Sequence, residues 1–376
     1  MRPCGRLAGL SLGLAVAACG GAADPGISAL HRERLALIRD TAAQMGVHNA
    51  ALIAGIAVSE TQLAHCWSEA TYACKGPDAA ACGGPIIAGS ADGPCAAMQG
   101  GLGLFQLDAG TWTDTLARYG DAILGVEGNT AQAIAFVIDA VTRDVPAATG
   151  WLAAAAWLDG VPLAAGDPVM ARWAELAACR YNGCCAASAL CGQRGDAYRD
   201  HALDLVDALG AAFWRTADRC AGLPADGVID QRTDCYLAAG DPRAWAAEAD
   251  GYGGSRDVAL SGSSDAFARW LLRFSGPGAG ARPGRYRIEV YAAGGEAIAR
   301  YDVSHAGAVD TVTVDQSSAT GFVALGDFDF AGTGDEYVQL SAAAPDSAPG
   351  QRLVFDAIRV TASNSASTLR YEPRRR

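Results

Sequence analysis

The chain holds 376 residues, 51% of them hydrophobic and 19% charged. That is too long for one compact core and too apolar for a disordered chain, so two domains are expected. With 29 basic and 41 acidic residues the formal charge is −12, a surface that repels phosphate backbones and argues against a nucleic-acid partner.

Arg2 and Arg6 flank the start of a short apolar stretch, Leu7 to Ala18, which has the charge and length of an export signal. No later apolar run reaches the roughly 18 residues that cross a bilayer, so the body is expected to be soluble. The stretch ends Val16-Ala17-Ala18-Cys19-Gly20, which resembles the bacterial lipobox. That resemblance implies a signal peptide over 1–18, lipidation of Cys19 and a linker over 19–28. It also implies a lipid anchor in the cell envelope, with the outer membrane facing the periplasm as the expected place. The alternative is an ordinary signal peptide cut near Ala22 or Ala23 and a secreted protein.

Removing Cys4 and Cys19 from the twelve cysteines leaves ten: Cys66, Cys74, Cys82, Cys95, Cys179, Cys184, Cys185, Cys191, Cys220 and Cys235. An even number in an exported chain reads as a disulfide framework. Zinc is the alternative, but no CxxC pair occurs and only His65 stands beside a cysteine. No metal or cofactor is expected. Pairings inside each cluster stay open, with Cys220–Cys235 as the natural local bridge.

From Ile27 to Trp214 the pattern is helical. Leu35, Ile38, Ala42 and Met45 recur at three and four residues, and Asn49 reads as the N-cap of a helix carrying Leu52, Ile53, Ile56 and Val58. Cys66 to Gly101 holds four cysteines and little periodicity, and is expected to be a stapled loop. Asp108 reads as the N-cap of a helix over Ala109 to Tyr119. Further helices are expected over Thr130 to Arg143, Ala147 to Leu158, Pro168 to Arg180 and Asp196 to Trp214.

A disulfide-containing linker is expected over 215–240, after which the period changes to two. Tyr286, Ile288 and Val290 alternate with Arg285, Arg287 and Glu289. Ala297 to Val303, Val309 to Val314, Gly321 to Phe330, Glu336 to Leu340 and Arg352 to Val360 read similarly. Short strands between Gly, Asp, Ser and Pro turns predict an antiparallel β-sandwich over 241–362, followed by a disordered basic tail over 363–376.

In the helical half Glu60 stands out. On a helix its neighbours one and two turns back are Ala57, Ile56 and Ile53, and a carboxylate on such a face is desolvated toward its neutral form, as a general acid requires. Gly100-Gly101-Leu102-Gly103-Leu104-Phe105-Gln106-Leu107-Asp108 joins glycines, which let a ligand approach the backbone, to an amide that can bond sugar hydroxyls. Arg180-Tyr181-Asn182-Gly183 offers a ring to stack on a sugar and an amide to bond it.

Taken in order, these segments resemble the lysozyme-like superfamily of lytic transglycosylases and goose-type lysozymes. Ala57-Val58-Ser59-Glu60-Thr61 is similar to the family's catalytic helix end. Gly103-Leu104-Phe105-Gln106 is similar to its Gly-Leu-Met-Gln motif, and Tyr181-Asn182 to the core of its Ala-Tyr-Asn-Ala-Gly motif. Thr61 stands for the usual Ser, Phe105 for Met, and the alanine after Asn182 is missing. The resemblance implies an all-α lysozyme-like domain over 29–214, stapled by disulfides, that cleaves the MurNAc-β-1,4-GlcNAc bond of peptidoglycan glycan strands. It implies Glu60 as acid and base, with Gly103, Gln106, Tyr181 and Asn182 binding substrate. The expected activity is a lytic transglycosylase. Alternatives are an inverting lysozyme with Asp108 as second carboxylate, or a non-catalytic glycan-binding lipoprotein.

The β half carries its own resemblance. Gly284-Arg285-Tyr286-Arg287-Ile288-Glu289-Val290, Ala299 to His305, Val312 to Ser317, Phe322 to Gly326, Phe328 to Phe330 and Val354 to Arg359 are together similar to the golvesin and xanthan-lyase C-terminal domain. This implies a carbohydrate-binding-like accessory module. His305, Asp315 and Asp356 read as packing, turn and framework residues.

Overall fold

The structure, a computed structural model, describes residues 27–67, 74–79, 84–88, 101–183, 185, 189–214, 220–262, 266–274 and 282–363. The export signal with Cys4 and Cys19, the tail beyond Ser363, and Cys82, Cys95 and Cys184 lie outside these residues.

The N-terminal half is helical. Helix α1 (Ala29–Gln44) starts at Ser28, whose hydroxyl accepts from the His31 N–H at 3.1 Å, and it buries Leu35, Ile38 and Ala42. Helix α2 (Ala50–Thr61) is buried on every side from Ala50 to Ala57, so it forms the central post of the domain. Around it stand α3 (Trp112–Tyr119), α4 (Val126–Asp144), α5 (Trp151–Asp159), α6 (Pro168–Asn182), α7 (Ala189–Leu209) and the short α8 (Ala211–Trp214). Gly55 lets α7 press against α2. A Cβ there would lie 2.7 Å from the Tyr198 carbonyl and 2.9 Å from the Ala202 Cβ.

Four local expectations are corrected. Asn49 makes no side-chain cap for α2; its amide donates to the carbonyls of Leu158 (3.1 Å) and Val161 (3.0 Å), tying the entry of α2 to the exit of α5. Asp108 is not the cap of α3, because Thr111 caps it through a reciprocal pair with Asp114. The last expected helix breaks at Gly210, which takes φ +80°. The expected loop from Cys66 to Gly101 contains a hairpin, β1 (Cys74–Ala79) with β2 (Gly84–Ala88). Ile86 and Ile87 of that hairpin are 0% and 3% exposed, so burial of an apolar pair decides it.

The C-terminal domain is built of antiparallel sheets. Its strands are β3 (Val228–Ile229), β4 (Tyr236–Ala239), β5 (Trp245–Glu248), β6 (Arg256–Leu260), β7 (Phe267–Leu271), β8 (Gly284–Tyr291), β9 (Ile298–His305), β10 (Ala308–Asp315), β11 (Phe322–Phe330), β12 (Tyr337–Ser341), β13 (Arg352–Phe355) and β14 (Ile358–Ala362). They form sheets ordered β10-β9-β12-β7-β4, β11-β8-β14-β3 and β13-β6-β5. Their inner faces share one core, with Trp270, Tyr301, Phe274 and Phe355 fully buried.

Two boundaries differ from the sequence reading. The linker expected to run to residue 240 already contributes β3 and β4 to these sheets, and the Cys220–Cys235 bridge ties this entry together. The single strand expected from Arg352 to Val360 splits at Asp356-Ala357. Asp356 is 2% exposed, its carbonyl accepts from the Trp270 indole at 2.9 Å, and the chain crosses there from β6 to β8.

Six of the described cysteines are disulfide-bonded. Cys179 pairs with Cys185 and Cys220 with Cys235, and Cys66 and Cys191 are also disulfide-bonded. No helix among the described residues is long and apolar enough to cross a membrane.

Candidate active site

Glu60 occupies the last turn of α2, half-buried. Its Oε1 accepts a hydrogen bond from the Tyr198 phenol at 2.5 Å, and the Asn182 amide donates to that phenol from the other side. Burial pushes the Tyr198 phenol far above its ordinary pKa, and the Glu60 charge and hydrogen bond add to the rise. Tyr198 is therefore a fixed neutral donor aimed at the carboxylate. Next to it Tyr181 meets Tyr198 edge-on with ring centroids 6.4 Å apart, and its hydroxyl donates to the Phe105 carbonyl. Desolvation, then the Glu60 charge, raises the Tyr181 phenol well above its usual value too.

The loop from Leu102 to Leu107 is closed by reciprocal backbone bonds, Leu102 N–H to Leu107 O (2.9 Å) and the reverse (3.2 Å). Four side chains clamp it from beneath. The Thr61 hydroxyl donates to the Leu104 carbonyl at 2.9 Å. His65, fully buried, accepts from the Leu104 N–H through Nδ1 at 3.1 Å and has Nε2 3.0 Å from the Leu124 carbonyl, which fixes the Nε2–H tautomer. Asn129 accepts from the Phe105 N–H and donates to the carbonyls of Leu102 and Ile123. The Tyr181 hydroxyl completes the set.

Gly103 has to be glycine here. Its φ is +70°, and a Cβ would sit 2.5 Å from the Asn129 amide nitrogen and 2.7 Å from the His65 ring. Gln106 is held at φ +48°, with Nε2 donating to the Gly103 carbonyl at 2.9 Å. Gln62 and Leu63, directly after α2, also take positive φ (55° and 66°), and the buried Arg34 guanidinium holds the Leu63 carbonyl at 2.7 Å. Left-handed backbone at three non-glycine positions marks a strained rim around Glu60.

The three segments singled out in the sequence thus meet in one place. Glu60, Gly103, Gln106, Tyr181 and Asn182 share one connected network, although Tyr181 and Asn182 form the last turn of α6 rather than following it, with Gly183 in the left-handed position after them. Asp108 stands apart. It is exposed, its Oδ1 accepts from the Gly110 N–H at 2.7 Å, and its charge acts on Tyr119.

The sequence reading missed Tyr198, His65 and Asn129 as parts of this site. A signal for Tyr198 was present: Tyr198, Ala202 and Leu205 fall on one face of α7 at helical spacing. Ser59 also contacts α7, with Oγ 2.8 Å from the His201 Nδ1. In the β domain, His305 packs its ring on Phe328 and contacts Asp310 at 3.0 Å, and Asp315 accepts from Ser317, so both fill local framework roles. Among the described residues no cluster of three or more His, Cys, Asp or Glu could hold a metal ion.

Residues 228–362 match the family model of the golvesin C-terminal domain. No curated protein matches the chain at a significant level. Among solved structures, a Paenibacillus xanthan lyase is similar over 36% of this chain and 13% of its own, at 18% identity and a TM-score of 0.30. This chain therefore corresponds to only a small part of that lyase. Two variants of a family 29 carbohydrate-binding module are similar over 39% of this chain and 88% and 89% of theirs, both at 18% identity and a TM-score of 0.20.

Proposed function

We propose that this chain is an exported peptidoglycan-cleaving enzyme of the lysozyme-like kind, carrying a golvesin-type domain that binds glycan. The supporting observation is the convergence on Glu60 of three distant segments, through Tyr198, Asn182, Tyr181 and the Gly103–Gln106 loop. The disulfides fit an oxidising compartment outside the cytosol. A lipid anchor at Cys19 in the outer membrane belongs to the same proposal.

Tyr198 donates to Oε1, so the proposed reaction assigns the acidic proton to Oε2. In the proposed reaction that proton passes to the glycosidic oxygen of the MurNAc-β-1,4-GlcNAc bond as the C1–O bond breaks. The carboxylate so formed then takes the proton of the MurNAc 6-hydroxyl, whose oxygen closes on C1 to give a 1,6-anhydro end. One carboxylate suffices for this route. An inverting hydrolysis needs a second carboxylate to activate water on the opposite face. Asp108 is exposed and bonded to its own turn, which favours the transglycosylase route.

The test uses oxidised protein with purified peptidoglycan, with products read by mass spectrometry. Anhydro-MurNAc ends that vanish in Glu60→Gln are expected. Reducing MurNAc ends that also need Asp108 would move the assignment to an inverting lysozyme. No Glu60-dependent product from folded protein would leave a glycan-binding envelope protein without turnover.

A further inference from the structure

The sheet β11-β8-β14-β3 turns one face to its core and the other outward, where the exposed positions are mostly charged. Arg285 pairs with Asp329 there, Arg287 faces Asp327, and Arg359 holds Glu289 at 2.7 Å. At one end of this face the character changes. Tyr291 of β8 and Phe322 of β11 stand opposite each other in register, and Tyr252 leans over both from the loop between β5 and β6. The three rings meet edge-on with centroids 5.3 to 5.9 Å apart, and all three are half-exposed.

Among the described residues this cluster stands outside the main core of the domain, yet the loop that presents Tyr252 is tightly built. Gly251 (φ +101°) packs so closely that a Cβ would lie 2.4 Å from the Asp356 carboxylate, and at Gly253 (φ +66°) it would lie 2.1 Å from the Arg232 guanidinium. The Tyr252 N–H donates to Asp356 at 2.9 Å, and Arg232 donates to the Gly253 carbonyl at 2.9 Å. One tyrosine is thus pinned in place on an outer face. Around it lie planar polar groups: the Arg359 guanidinium, 4.1 Å from the Phe322 ring centre, and the Glu289 carboxylate.

A pyranose has an apolar C–H face and a rim of hydroxyls that both donate and accept. Its complement is aromatic surface beside a paired donor and acceptor, which is what this corner offers. We propose that Tyr252, Tyr291 and Phe322 form a stacking platform for a pyranose unit of a polysaccharide, with Arg359 and Glu289 bonding its hydroxyls. The proposal rests on the glycan-binding reading of the domain and gives that reading a location. Among the described residues the helical domain meets this domain chiefly at β4 and at the turn Pro242–Ala244, elements other than those that carry the three rings.

The test is affinity electrophoresis of the full chain carrying Glu60→Gln. The gels contain soluble peptidoglycan strands, hydroxyethylcellulose, glucomannan or xanthan. Retardation is expected in at least one gel. Tyr252→Ala and Tyr291→Ala should each weaken it about tenfold, while Tyr252→Phe stays within about threefold, all with unchanged melting temperatures. Retardation that neither alanine variant changes would overturn the platform and leave glycan binding standing. A Glu60→Gln chain with the platform intact that is retarded by none of the four would overturn both.

Discussion

The Tyr198 phenol bridges Glu60 and Asn182, so removing its oxygen takes one hydrogen bond from the carboxylate and releases the Asn182 amide. Hydrogen bonds to charged groups contribute about 1.5 to 3 kcal/mol. In the proposed reaction, Tyr198→Phe should therefore lower kcat by about tenfold or more, a larger effect than any on KM for peptidoglycan. An unchanged kcat would remove Tyr198 from the positioning of Glu60. A second residue-scale prediction concerns Asp356. Burial pushes its carboxyl up to about 6, against the opposing pull of the Tyr252 and Ala357 N–H groups and Arg256. An unfolded aspartate titrates near 3.9, so the folded value is the higher one. Its stabilising contribution is complete below about pH 4 and is lost as pH rises through 6, by roughly 2 to 3 kcal/mol. The melting temperature of the β domain should fall across that window, and Asp356→Asn should flatten the fall. A slope that survives in Asp356→Asn would assign it to other groups.

At the scale of elements, the position of Glu60 depends on how α2 is seated at both ends. Its exit is held by Thr61 and Arg34, its middle by the contact at Gly55, and its entry by Asn49 bridging to α5. Serine is as good an N-cap as asparagine but is too short to reach the carbonyls of Leu158 and Val161. Asn49→Ser should therefore cost as much as Asn49→Ala, about 1 to 2 kcal/mol in chemical denaturation. A neutral serine variant would restore the ordinary capping role. The helix itself was legible because its apolar run from Ala50 to Ala57 has helical length and a polar start. The role of Asn49 was not, because the same residue type caps its own helix or crosses to another, and only the position of α5 decides between them. The hairpin β1–β2 was missed for a similar reason: a short Gly- and Cys-rich stretch has no period of its own.

For the whole molecule, the passage from helices to sheets is governed by the segment after Trp214. Cys220 and Cys235 are 15 residues apart in sequence, and closing such a loop contributes about 3 kcal/mol by restricting the unfolded chain. Replacing both by serine should lower the stability of the β domain by about that amount in urea unfolding. An unchanged midpoint would show that β3 and β4 hold this entry without the bridge. The two domains also touch through Arg243, which donates to the Arg118 carbonyl on the helical side.

Composition and hydrophobic period determined the division into a helical half and a β half. They act locally, and burial of apolar faces at spacings of 3.6 and 2 leaves few other solutions. The same local chemistry marked Glu60, Gly103, Gln106, Tyr181, Asn182 and the Cys220–Cys235 bridge. What only the tertiary structure decided is the company these residues keep. His65 and Asn129 come from elements far away in sequence and converge under one loop, Tyr198 reaches Glu60 from α7, and Asp108, close to Gln106 along the chain, points into its own turn instead. The aromatic corner on the β domain belongs to the same class. Tyr252, Tyr291 and Phe322 are scattered over seventy positions, and strand register together with a glycine loop pinned on Asp356 brings them together. Contacts between distant residues depend on packing, which no local pattern encodes.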